Sequence, residues 1–226
     1  MLTACFFRFM TVLSQRLSST GSTFFTAATV FMPTTRDTTL MRRIRQCTLC
    51  ASQLPLPPRP VLQAEHSAKI LIAAQAPGKL AHEAGRPFDD PSGERLRRWL
   101  GVTHKQFYNP DLFALVPMGF CYPGSGTSGD LPPRPECAPA WRQELMQYLA
   151  NIELTLVIGQ YAQAYHLPNR EKTLTERVRN WRHYWPEQLP LPHPSGRNNR
   201  WLAKHPWFEQ EVVPTLQARI RQILTC

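Results

Sequence analysis

The chain of 226 residues is long enough for one well-buried domain and too short for two large ones. Its 42% apolar and 19% charged content is that of an ordinary globular protein, and it has no run of about 18 uncharged apolar residues, which excludes a membrane-spanning helix. The net charge of +10 points to a polyanion, but half of it lies before Cys47, where six arginines face only Asp37, so charge alone does not decide for nucleic acid.

Residues 1–40 contain Phe6, Phe7, several Ser and Arg and one acid, with no sustained period, and read as a disordered or dispensable extension. An Arg- and Ser-rich, acid-poor start also suits an organellar transit peptide, and Met41 can equally be the first residue. The domain is therefore expected over residues 41–226. Four short apolar runs have the character of strands buried on both faces: residues 69–74 (KILIAA), 112–118 (LFALVPM), 154–159 (LTLVIG) and 189–191, leading into His193. Helix signals lie between them. Ser92 precedes residues 94–100, residues 139–150 alternate at helical spacing, and Thr173 with Glu176 forms a capping-box pattern ahead of Val178, Trp181 and Trp185. A last helix carries Val212, Val213, Leu216, Ile220, Ile223 and Leu224 on one face.

Alternating strands and helices predict a three-layer α/β/α fold around a central, mainly parallel four-stranded sheet. Ligands of such sheets bind beyond the carboxyl ends of the strands. That rule selects Gln75-Ala76-Pro77-Gly78 after the first strand, Pro117 and the loop to Cys121 after the second, and the segment from His193 to Asn199 after the fourth. Gly159-Gln160, which opens a helix directly, reads as connection, and residues 122–130 (YPGSGTSGD) as a flexible loop.

Cys47 and Cys50 form a C-x2-C pair, and Cys121 and Cys137 are separated by 15 residues. Four thiolates make a metal site, since a C-x2-C turn directs two sulfurs at one centre. The other reading is four unrelated buried thiols or a redox pair. A disulfide framework fits poorly with a reducing cytosol and no clear secretory signal. Spacing by itself does not separate zinc from an iron–sulfur cluster.

The ordered set Gln75-Ala76-Pro77-Gly78, Gly85-Arg86-Pro87-Phe88, Ser92-Gly93, Cys121 to Cys137 and His193-Pro194-Ser195 resembles the iron–sulfur branches of the uracil-DNA glycosylase superfamily over about residues 47–216. The resemblance implies a structural [4Fe–4S] cluster on Cys47, Cys50, Cys121 and Cys137. It also implies a pocket that takes a base flipped out of DNA. There Phe88 matches the stacking aromatic, and Gln75 with the backbone of Ala76 matches the loop facing base and water. His193 matches the donor to the departing base, and Ser195, Arg197, Asn198 and Asn199 approach phosphates and the vacated stack.

Two positions depart from that pattern. Ala76 stands where the best-understood branches carry Asp or Asn, leaving Glu83, Asp89 or Asp90 as nearby acids, and Pro117 stands where a uracil-reading Asn is common. The expected function is a DNA glycosylase acting on uracil or another damaged base. The alternative is an iron–sulfur nucleic-acid-binding protein without catalysis. The partner is then DNA with a damaged or deaminated base, with no membrane, and the chain a cytoplasmic monomer.

Overall fold

The run ILIA of β1 (Ile70–Ala73) is buried along its whole length, and it lies at the centre of the sheet because nothing in it needs water. The computed structural model describes residues 35–127, 129–168 and 171–225. In chain order these form α1 (Thr35–Arg45), β1, α2 (Lys79–Ala84), α3 (Pro91–Leu100), α4 (His104–Phe107), β2 (Phe113–Leu115), β3 (Ser125–Gly126) and β4 (Gly129–Asp130). They continue with α5 (Cys137–Tyr148), β5 (Leu154–Ile158), α6 (Gly159–His166), α7 (Leu174–Arg179), β6 (Gln188–Leu191), α8 (Asn199–Lys204) and α9 (Val213–Thr225). The main sheet has the order β2-β1-β5-β6 and every pair in it is parallel, with Ile72 opposite both Leu115 and Leu156, and Leu156 opposite Leu189. Among the described residues no helix is long and apolar enough to cross a membrane.

The period of two along β1 sorts the layers. Ile70 and Ile72 face Leu96 and Leu100 of α3, Val178 of α7 and Leu216, Ile220 and Ile223 of α9. Leu71 faces Ile44 of α1 and Leu145 of α5, and Ala73 faces Ala162 of α6. The expected three-layer α/β/α arrangement therefore holds, with a sheet that is wholly parallel.

Element ends differ from the local signals for identifiable reasons. The second strand stops at Leu115 because Pro117 has no N–H to give to a ladder. The chain still follows β1 beyond it through Val116 N–H to Ile72 O and Met118 N–H to Ala74 O, at 2.9 and 2.7 Å. Helix α3 begins three residues earlier than Glu94, because Asp90 rather than Ser92 caps it and Pro91 takes the first turn. The capping box of Thr173 and Glu176 forms with both reciprocal bonds, but Trp181 lies past the end of α7 in a separate 3-10 turn.

Residues 1–34 lie outside the described residues, so most of the expected extension does too. Helix α1 begins at Thr35, and its Leu40, Met41 and Ile44 are buried in the layer beneath Leu71. A helix of 11 residues is marginal alone. Burial of these side chains, each about 1.5–3 kcal/mol, is what holds it.

Candidate active site

A cleft of about 600 Å³ opens at the carboxyl ends of the four parallel strands. Ala74 to Gly78 follow β1, Pro117 follows β2, Gln160 and Tyr161 follow β5, and His193, Ser195, Arg197 and Asn198 follow β6. Phe88 and Asp90 form one side, and the β3–β4 hairpin forms another. The cleft thus brings together Gln75, Ala76, Phe88, His193, Ser195, Arg197 and Asn198. Asn199, at the start of α8, is exposed and outside the lining.

His193 is held from three directions. The Ser195 N–H donates to its Nδ1 at 3.2 Å, the Asn198 side-chain amide donates to its carbonyl at 2.7 Å, and Arg95 of α3 donates to the Ser195 carbonyl at 3.1 Å. An Nδ1 that accepts leaves the ring proton on Nε2. Burial lowers the His193 pKa below the ordinary histidine value, with Asp90 and then Asp130 opposing the shift. The ring is therefore a neutral Nε2–H donor near pH 7.

Phe88 has a positive φ of 55°, a conformation costly for a bulky residue and concentrated at functional sites. The turn is fixed by the Tyr108 hydroxyl, 3.0 Å from both the Pro87 and Phe88 carbonyls, and by Gly93. A Cβ on Gly93 would stand 1.8 Å from the Phe88 carbonyl oxygen. The phenyl ring meets Phe107 edge-on at 6.2 Å and also borders the cleft, so Phe88 belongs to core and cleft together. Gly93→Ala is expected to push the turn and the start of α3 apart and to cost about 1–3 kcal/mol, measured by urea unfolding. An unchanged midpoint would show that the turn yields freely.

Pro117 lines the cleft and has neither a side-chain polar group nor an N–H to offer. Its carbonyl accepts from the guanidinium of buried Arg142 on α5 at 2.7 Å, and the Val116 carbonyl accepts from the same group at 3.1 Å. Burial lowers the Arg142 pKa to about 10, so the clamp stays charged at neutral pH.

Two local readings are corrected. Gln160 and Tyr161 line the cleft instead of merely connecting β5 to α6, as the strand-end rule would have indicated. Residues 122–130 hold a short hairpin in which Gly126 pairs with Gly129. Gly129 has φ 124°, and a Cβ there would overlap the Arg197 guanidinium, so only glycine lets the hairpin meet the β6 loop. Asp130 and Leu131 enter the cleft by this route, and no local signal marked them.

Cys47, Cys50, Cys121 and Cys137 line a second, smaller cavity with Pro60, Phe120 and Arg134. Cys137 opens α5, and none of the four is in a disulfide. Burial pushes the Cys137 thiol up to about 12 and Cys121 to about 11, and it raises Cys50. Such thiols lose their protons only when a cation takes the proton's place. Among the described residues no three or more His, Cys, Asp or Glu are placed to hold a single metal ion.

A parallel α/β sheet with a cleft of nucleoside size at its strand ends, a neutral histidine donor and an aromatic wall has the form of an enzyme acting on a flipped base. The sequence pattern of the uracil DNA glycosylase superfamily matches residues 62–217, more than two thirds of the chain. The chain belongs to the uracil-DNA glycosylase superfamily, whose members are DNA glycosylases.

Proposed function

We propose that this protein hydrolyses the N-glycosidic bond of uracil or another damaged base in DNA. The observation that carries the reading is His193, which lines the cleft and whose Nδ1 accepts the Ser195 N–H, so that the neutral ring keeps its proton on Nε2. Bond cleavage makes the leaving base anionic, and a fixed donor lowers that barrier. Phe88 supplies a face for the base to stack on, and Arg197 at the mouth is a partner for phosphate. Pro117 offers no donor, so the base edge is read by other side chains, with Gln160 and Tyr161 the polar groups across the cleft.

We further propose that Cys47, Cys50, Cys121 and Cys137 hold a [4Fe–4S] cluster. The lining supplies four thiols and no carboxylate. Four thiolates suit zinc as well as a cubane cluster, and the likeness of the ordered motifs to the iron–sulfur branches favours the cluster. When bound, the cluster would tie the C-x2-C turn to α5 and to the loop after β2.

The test is single-turnover incubation with excess protein and duplex or single-stranded oligonucleotides containing uracil, hypoxanthine or an oxidised base, scored for abasic sites. Release of at least one base is expected. DNA binding without release of any base would overturn the glycosylase reading in favour of a non-catalytic nucleic-acid-binding protein, the reading that Ala76 and Pro117 favour.

A further inference from the structure

Departure of an anionic base leaves a cationic sugar that captures water, and a carboxylate that orients that water and takes its proton speeds the step. Ala76 provides none. Glu83 faces Lys79 at 3.9 Å on the exposed side of α2, and Asp89 is paired with Arg86 at 2.7 Å; neither lines the cleft. Asp90 also lines it, but its Oδ1 caps α3 through the Gly93 N–H at 2.8 Å, so its carboxylate is tied to holding that helix. The other carboxylate of the lining among the described residues is Asp130, the last residue of β4.

Its placement is built. Asp130 Oδ1 accepts from the Ser125 hydroxyl at 2.9 Å, and that hydroxyl lies 2.8 Å from the Tyr122 hydroxyl. The other oxygen, Oδ2, lies over the loop after β1, 3.3 Å from where a Cβ on Gly78 would stand. The next carbonyl, of Leu131, accepts from the Gln75 side-chain amide at 3.2 Å, which docks the hairpin on the same loop. A hydroxyl pair therefore orients one carboxylate oxygen and leaves the other beside the first-strand loop, where the sequence lacks an acid.

We infer that Asp130 is the catalytic carboxylate of this cleft, accepting a proton from the attacking water. The inference rests on the glycosylase reading. In the step, the C1′–N bond breaks with its electron pair going to the base, which His193 stabilises through Nε2–H. The water oxygen bonds to C1′ and its proton passes to Asp130, which then returns it to the released base. The products are a neutral base and an abasic sugar.

The experiment measures single-turnover release of whichever base the wild-type protein excises. Asp130→Asn is expected to lower the rate about a hundredfold or more, with melting temperature and affinity for a duplex bearing an abasic-site analogue within twofold of wild type. Ser125→Ala, which removes only the orienting hydroxyl, is expected to cost about fivefold. Added formate should restore part of the rate of Asp130→Ala, a rescue that a merely structural role would not show. A wild-type rate in Asp130→Asn would overturn this inference and leave the glycosylase reading intact. Rate loss that tracks lost melting temperature, without formate rescue, would also overturn it. A wild-type protein inert on every base would overturn both.

Discussion

Protein isolated without oxygen is expected to be brown and to carry about four iron and four sulfide per chain. Cys121→Ala is expected to bleach it and to lower its melting temperature by roughly 10 °C. That figure follows from the loop the cluster would close. Cys50 and Cys121 are roughly 70 positions apart, and holding the ends of such a loop together removes about 4 kcal/mol of chain entropy from the unfolded state. For a domain of this size each kcal/mol moves the midpoint by about 2–4 °C. The loss should also reach the cleft, because α5 begins at Cys137 and carries Arg142, which clamps the Val116 and Pro117 carbonyls at the cleft wall. Stoichiometric zinc without iron would replace the cluster by a zinc site. Four thiols that react freely in the folded protein would remove any metal from this cavity.

His193→Ala is expected to lower single-turnover base release by about 10²–10³-fold, the usual cost of losing one preorganised donor to a developing anion, while DNA affinity changes by less than about threefold. The asymmetry arises because the donor gains most when charge appears on the leaving base, whereas DNA is gripped through its phosphates. Burial keeps the ring neutral, so its pKa lies below that of an exposed histidine. Lowering the pH through that pKa would charge Nδ1 and break its bond from the Ser195 N–H, loosening the loop that also carries Asn198 and Arg197. Equal losses in rate and affinity would falsify the donor role and make His193 a loop anchor.

The four main strands, the capping box at Thr173 and Glu176 and the buried face of α9 were legible in the sequence. Each depends on residues within one element: an apolar run for a strand buried on both faces, a side-chain oxygen three residues from the N–H it serves, a 3.6-residue stripe. Once the strands are placed in parallel order, their carboxyl ends must share an edge, and that is why Gln75 and His193 could be named before any coordinates, with Phe88 added by the family resemblance. The family resemblance supplied their roles. The tertiary structure alone decided what meets across long separations. It brought Asp130 into the cleft through the glycine pair at 126 and 129, and it set the Phe88 carbonyl against a Gly93 with no room for a methyl group. It buried Leu40 and Ile44 of a helix too short to stand alone, and it set around one cavity the four cysteines that the sequence had already grouped. Local propensity carries no information about such encounters, because they are set by how the loops close and how the layers pack.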